Sequence, residues 1–191
     1  MCPNLCLTHV GPDADHEVCP TCGEFHFGQV KLQLSNGRVK APCAVFNTIP
    51  LGPQLQALFR DCETAQKMHY GEQHTQEISQ GLNQNKGLVS AYNDVLTQST
   101  YLEAVQNGKI QPKDMLVVLS IDGRIYIWII LTHCPDKHYK KKNVLLGAII
   151  PRPNKPKFIK SFLYPGFHDP SAIQREGLTI WVSHPENFTT L

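Results

Sequence analysis

The chain has 191 residues and a mass of 21.5 kDa, which is room for one domain or for one domain with a small appendage. Hydrophobic residues make up 41%, enough for a core of its own, and the 14 prolines and 13 glycines are too scattered for a collagen-like or low-complexity chain. Lys plus Arg is 18 against 16 for Asp plus Glu, so a net charge of +2 selects no partner by itself.

The first 30 residues form a polar head with Asp13, Asp15, Glu17 and Glu24 and no Lys or Arg. Residues 31–53 read as extended and irregular, interrupted by Asn36-Gly37, Pro42, Pro50 and Pro53. From Gln54 the pattern becomes helical, with Leu55, Leu58, Phe59 and Cys62 on one face, and it continues more weakly through Met68 to Ile78. A second helical stretch over residues 88–105 groups Val89, Tyr92, Val95 and Leu96, then Leu102 and Val105, and ends at Asn107-Gly108.

The pattern then changes to strand. Residues 115–121 (MLVVLSI) and 125–132 (IYIWIILT) are apolar runs rich in β-branched and aromatic residues, joined by Asp122-Gly123-Arg124. Asp-Gly between two such runs is a strong hairpin signal. A third run, 144–150, completes a three-stranded antiparallel meander whose near-continuous apolarity predicts cover on both faces. Pro151, Pro153 and Pro156 then mark an extended basic loop, and a short last helix over residues 171–176 stops at Gly177.

The longest uninterrupted apolar runs, residues 125–131 and 144–150, are seven residues each, against about 18 for a membrane span. The opening Met-Cys-Pro-Asn-Leu-Cys has no basic or apolar signal region. The expectation is an intracellular protein, nuclear or cytoplasmic, with no membrane partner.

Chemistry-bearing residues concentrate in three places. Cys2-x3-Cys6, then twelve residues, then Cys19-Pro-Thr-Cys22-Gly is a four-thiolate arrangement at zinc-like spacing. Two ligand pairs on tight turns can converge on one tetrahedral ion, and four protein ligands make such a site structural, not catalytic. His9, His16 and His26 stand close enough in sequence to replace one cysteine, so spacing alone leaves the ligand set open. Free thiols without metal, or disulfides, are the competing readings.

Secondly, Lys137, Lys140, Lys141, Lys142, Arg152, Lys155, Lys157 and Lys160 fall in a stretch with no Asp or Glu, interleaved with His138, Tyr139 and Phe158. Such a run can neutralise phosphates and bind nucleic acid with strong salt dependence, or it can be a solvated loop. Thirdly, Asp122 is the one carboxylate that a strand edge presents in a fixed position. Two-metal phosphodiester chemistry needs two or three such acids together, whereas an Asp-Gly turn explains a lone one.

Several segments together resemble the transposases of CACTA-type (En/Spm-like) DNA transposons. They are CPNLCLTHVGPDADHEVCPTCGE, VFNTIPLGPQLQALFR, SIDG, IYIWII, PDKHYKKKNVLLGAIIPRPNKPK, SFLYPGF and AIQREGLTIW, in order over nearly the whole chain. The resemblance implies DNA transposition by a DDE-type enzyme with an RNase H-like catalytic domain, and it makes Asp122 the first acid of that site. The implied layout is α+β: a zinc-binding head over residues 1–30, a linker and helical connector over 31–112, and an incomplete RNase H-like domain over 113–191. That domain would hold the three-stranded antiparallel sheet and the basic loop.

The chain also departs from the family. Gly123-Arg124 joins directly to Ile125 where family members carry a longer polar segment, and Val182 follows Trp181 where an aspartate is common. Leu191 comes before the segments that supply the later acids, and Cys2 abuts Met1. The expectation is therefore a truncated, catalytically inactive, transposon-derived protein with structural Zn²⁺. Mg²⁺ would bind only if a complete catalytic site were assembled. Its partners would be DNA and a full-length transposase or another protein. The alternative is a non-enzymatic, zinc-dependent DNA- or protein-binding module.

Overall fold

The computed structural model describes residues 1–85, 94–111, 113–122, 125–131, 140–151, 155–183 and 186–190. In chain order the elements are α1 (Gln29–Leu34), β1 (Asn47–Thr48), α2 (Leu51–Arg60), α3 (Cys62–Met68), α4 (Tyr70–Gln84) and α5 (Ser99–Gln106). They are followed by β2 (Val117–Asp122), β3 (Ile125–Ile130), β4 (Val144–Ile149), α6 (Ile159–Glu176), β5 (Thr179–Ser183) and β6 (Glu186–Thr190). Single 3-10 turns lie at Gly11–Asp13, Val95–Thr97 and Lys141–Asn143. The class is α+β, as expected.

One sheet has the strand order β1-β4-β3-β2. The expected meander of β2, β3 and β4 is present, and β1 extends it, antiparallel to β4 with Asn47 opposite Ile149 and Thr48 opposite Ala148. The Leu131 N–H donates to the Leu116 carbonyl at 2.8 Å. Gly123 and Arg124, where the Asp-Gly turn was expected, lie outside the described residues. Tyr126, Trp128, Ile129, Ile130, Leu145 and Ala148 are buried, so β3 is covered on both faces. On β2, at the edge of the sheet, Val118 and Ile121 are exposed.

The chain divides into two compact units. The first comprises Met1–Leu51, Ile121–Ile127 and Leu146–Glu176. Its interior holds Leu5, Leu7, Tyr126, Ile150 and Phe162 with three of the cysteines. Helix α6 belongs to it and corrects one expectation: the helix begins at Ile159, not at Ser171, and Pro165 and Pro170 lie inside it. Proline has no N–H, so Pro165 leaves the carbonyl of Ser161, four residues earlier, without its helical donor. The hydroxyl of Thr8 donates to that carbonyl at 2.6 Å, and the Thr8 N–H donates to the Ser161 hydroxyl at 3.0 Å. One residue on, the buried Tyr126 hydroxyl donates to the carbonyl of Phe162. Tertiary hydrogen bonds thus replace what the proline removes, and the helix runs on.

Residues 31–53 also hold more regular structure than expected. Helix α1 reaches Leu34, and Asn36 (φ 51°) and Gly37 (φ 79°) turn the chain out of it.

The second unit comprises Gly52–Ser120, Trp128–Leu145 and Gly177–Leu191. Leu55 and Phe59 of α2 and Ala65 and Met68 of α3 are buried, and Asp61 caps α3 by accepting the Thr64 N–H at 2.8 Å. The carboxamide of Gln56 donates to the Trp181 carbonyl at 3.1 Å and accepts the Trp181 N–H at 3.3 Å, holding β5 to α2. Strands β5 and β6 form an antiparallel hairpin that the sequence reading did not include. Helix α5 ends before Gly108 (φ 67°) as expected, but it begins only at Ser99. Asp94 caps a 3-10 turn over Val95–Thr97 and Gln98 is extended, so the expected helix over 88–105 is interrupted there, and residues 88–93 lie outside the described residues.

Candidate metal centre

Two turns in the first unit present the four cysteines. In the first, the Cys2 N–H donates to the Leu7 carbonyl and the Leu5 N–H to the Cys2 carbonyl, both at 3.0 Å. In the second, the Cys19 N–H donates to the Glu24 carbonyl at 2.8 Å and the Gly23 N–H to the Cys19 carbonyl at 2.9 Å. Each turn thus closes with the same five-residue span, and each contains one left-handed residue, Leu5 (φ 54°) in the first and Gly23 (φ 77°) in the second. The three-residue spacer of the first turn explains the difference in placement. Its extra residue must be absorbed before Cys6, so the left-handed position falls at Leu5 inside the loop and not at a glycine beyond it.

The four sulfurs all lie within 4.8 Å of one another, with Cys2 Sγ and Cys22 Sγ 3.4 Å apart. A tetrahedral ion with metal–sulfur bonds of about 2.3 Å sets its sulfurs about 3.8 Å apart, inside this range. A disulfide would need about 2.05 Å, so these are free thiols and the disulfide reading fails. Among the described residues this is the one convergent group of three or more His, Cys, Asp or Glu side chains. It can hold a metal ion, and four sulfur ligands are the donor set of a structural zinc site.

The electrostatics favour the same conclusion. Burial pushes the Cys6 thiol up to about 12, reinforced by hydrogen bonding to Cys22 and Cys2. Burial also raises Cys2. Cys22, at the surface, is brought down to about 6, chiefly because the Glu24 N–H donates to its sulfur, with Cys2, Asn4 and Cys6 adding to the effect. The Asn4 amide lies 3.7 Å from that sulfur. One thiolate therefore forms readily while its neighbours resist, because several thiolates in so small a space repel. A divalent cation among them reverses that balance and deprotonates the remaining thiols.

The histidines are not part of this group of ligand atoms. His9 is buried and stacks on His26 with centroids 4.0 Å apart and planes 11° from parallel, and His26 stacks on Phe27 at 4.1 Å. Burial lowers the pKa of both rings, which keeps them neutral. His16 pairs with Asp13 at 3.5 Å. Cys43 and Cys62 lie at the surface, outside the cluster.

The other predicted residues do not gather. Asp122 ends β2 at the surface and belongs to no convergent group among the described residues. Lys140, Lys141, Lys155, Lys157 and Lys160 are exposed; Lys137, Arg152 and the side chain of Lys142 lie outside the described residues. The end of the basic stretch is nevertheless fixed to the first cysteine turn. The Lys157 N–H donates to the Leu5 carbonyl and the Phe158 N–H to the Cys6 carbonyl, each at 2.9 Å. The Thr8–Ser161 and Lys157–Leu5 bonds had no sequence signal, since each joins residues about 150 positions apart. The left-handed Leu5 had a weak one, in the extra spacer residue.

No protein-family model matches the chain, and no curated protein or solved structure matches it. Among the described residues, no helix is long and apolar enough to cross a membrane.

Proposed function

We propose that this is a transposon-derived, CACTA-transposase-like chain that acts by binding and not by catalysis. Structural Zn²⁺ on Cys2, Cys6, Cys19 and Cys22 would organise its first unit, and the basic stretch would contact DNA. The observation that carries this reading is the convergence of four sulfurs on two turns, one of which also anchors Lys157 and Phe158. Zinc binding of about 10–16 kcal/mol is ample to order a head whose apolar interior is so small. It would thereby fix the direction in which the chain from Lys155 to Lys160 leaves it.

The RNase H-like assignment rests on the resemblance, supported by the antiparallel order of β2, β3 and β4. Asp122 alone offers hard cations too few oxygens, so strand cleavage is not part of the proposal, and Mg²⁺ would bind only where further carboxylates join it.

The test is metal analysis of the purified chain with DNA binding as a function of salt. One zinc per chain, with affinity that falls steeply as salt rises and weakens in Lys140→Ala/Lys141→Ala/Lys142→Ala, supports the reading. Absence of bound zinc, or salt-insensitive binding, overturns it. A second reading, a zinc-dependent protein-binding module, is favoured by the exposed apolar residues of α1, Val30 and Leu34, and predicts zinc without DNA affinity.

A further inference from the structure

The first unit contains a cavity of about 540 Å³ beside the second cysteine turn. This lies within the range of small-ligand pockets, roughly 300–1,000 Å³. Leu7 and Val10 of the head contribute apolar surface, and Pro20 and Thr21 come from the turn between Cys19 and Cys22. Across from the head residues, the start of α6 supplies Phe158, Lys160 and Tyr164, and the Gly11–Asp13 turn supplies Asp13.

Two features distinguish this cavity from a packing defect. Phe158 is 55% exposed and Tyr164 is 48% exposed, so two aromatic rings are left open beside it. The Tyr164 ring is also held in place: a Cβ on Gly11, which has φ +57°, would meet it at 2.5 Å, so only glycine lets the turn close on that ring. The charges are polarised as well. The lining carries both signs of charge, Lys160 from α6 and Asp13 from the Gly11–Asp13 turn, where one Asp13 carboxylate oxygen lies 3.5 Å from His16.

We infer that this cavity is a nucleobase pocket that takes one unstacked base of a single-stranded nucleic acid. The base lies against Phe158 or Tyr164, its exocyclic amine donates to Asp13, and the adjoining phosphate rests on Lys160. The inference rests on the nucleic-acid reading above and goes beyond it, since a basic loop alone needs neither open rings nor an acid. A nucleotide is anionic at one end and carries N–H donors at the other, which matches the polarity of the cavity. An acidic peptide would bring its charge toward Asp13. Open aromatic rings beside cations are the usual platform for single strands. A carboxylate prefers bases with an amino group, such as cytosine, over thymine.

The experiment uses the zinc-loaded full chain and fluorescence anisotropy with labelled ten-nucleotide oligo(dC), oligo(dT) and oligo(rC). Oligo(dC) should bind several-fold more tightly than oligo(dT). Phe158→Ala should weaken oligo(dC) about tenfold, the size of one base–aromatic stack. Asp13→Ala, which removes the acceptor, should abolish the preference for dC while leaving dT affinity unchanged. Zinc content and thermal unfolding of each variant confirm that the fold is intact, and Tyr164→Phe, which keeps the ring, should bind like the parent. Oligo(rC) binding as tightly as oligo(dC) supports a pocket that reads the base and not the sugar; tighter binding of oligo(rC) supports the same pocket with RNA as its source.

Binding that is base-independent and unaffected by Phe158→Ala and Asp13→Ala overturns the pocket while leaving the DNA-binding proposal standing. No binding of any nucleic acid at low salt overturns both. Tighter binding of a Glu-rich, Phe-containing peptide than of oligo(dC) at equal salt makes the cavity a peptide groove and overturns the inference.

Discussion

The cysteine turns and the end of β2 both present a chemically capable side chain, and they differ in their surroundings. At the turns, four sulfurs from two separate loops meet within 4.8 Å, three of them buried. At the end of β2, Asp122 stands exposed, outside any convergent group among the described residues. A fixed backbone is needed for a site but does not make one; convergence does, and it comes here from two loops that close with the same five-residue span. The left-handed residues Leu5 and Gly23 are the local cost of that closure.

The largest effect should come from breaking the convergence. Cys19→Ser, or a strong chelator, is expected to reduce bound zinc from one per chain to none and to remove about 10 kcal/mol or more of metal-linked stability from the first unit. Backbone NMR should show resonances of residues 1–30 collapsing while those of α2 and α3 keep their dispersion. Retained dispersion in the head after chelation would mean that its apolar contacts suffice without metal.

Acidification should follow in size, and its sign is set by the thiols. In the metal-free protein Cys22 lies at about 6, below its ordinary value near 9. Its contribution to stability is therefore present above the unfolded value and is lost as pH falls through about 6. Cys6, raised to about 12, acts in the opposite sense, and the fold weakens as pH rises from about 9 toward 12. At pH 7.5 an alkylating reagent should modify Cys22 well before Cys2, Cys6 or Cys19, and zinc should suppress the reaction. Equal reactivity of all four would show that burial and the Glu24 N–H do not set Cys22 apart from the other sulfurs.

Smaller effects test what surrounds the two regions. Thr8→Val leaves the Ser161 carbonyl without a donor at the turn of α6 that Pro165 has already deprived of one. A loss of about 1–3 kcal/mol is expected, measured by denaturant unfolding. Gly23→Ala places a side chain at φ 77° in open space, with no neighbour within 4 Å, so its cost is conformational alone, about 1–2 kcal/mol. A larger loss for Gly23→Ala than for Thr8→Val would mean that the second turn tolerates less displacement than the packing around it suggests.

The sequence made the thiol spacing, the α2 face and the pairing of β2 with β3 legible because each is a local pattern. It left the ligand set open because cysteine and histidine are interchangeable at that spacing, and only the stacking of His9 on His26 and the His16–Asp13 pair remove the imidazoles. Helix α6 was illegible before residue 171 because Pro165 and Pro170 read as breakers. The carbonyl that Pro165 deprives, that of Ser161, takes its donor from Thr8, remote in sequence. Strand β5 has a buried alternation, Ile180 and Val182, but five residues followed by Pro185 are a weak strand signal.

The smallest expected effect is the one that bears most on catalysis. Asp122→Asn changes an exposed strand-end side chain and should shift stability by less than about 0.5 kcal/mol, or 1–2 °C in Tm. Its sharper readout is the response to a divalent cation. An acid that stands alone holds Mg²⁺ too weakly to raise Tm, so 10 mM MgCl₂ should move the parent and Asp122→Asn by the same small amount. If carboxylates gathered at this strand end, their mutual repulsion would be relieved by the ion, and Tm of the parent would rise by mass action while that of Asp122→Asn would not. A difference of several degrees between the two would therefore give the end of β2 the convergence that so far distinguishes the cysteine turns.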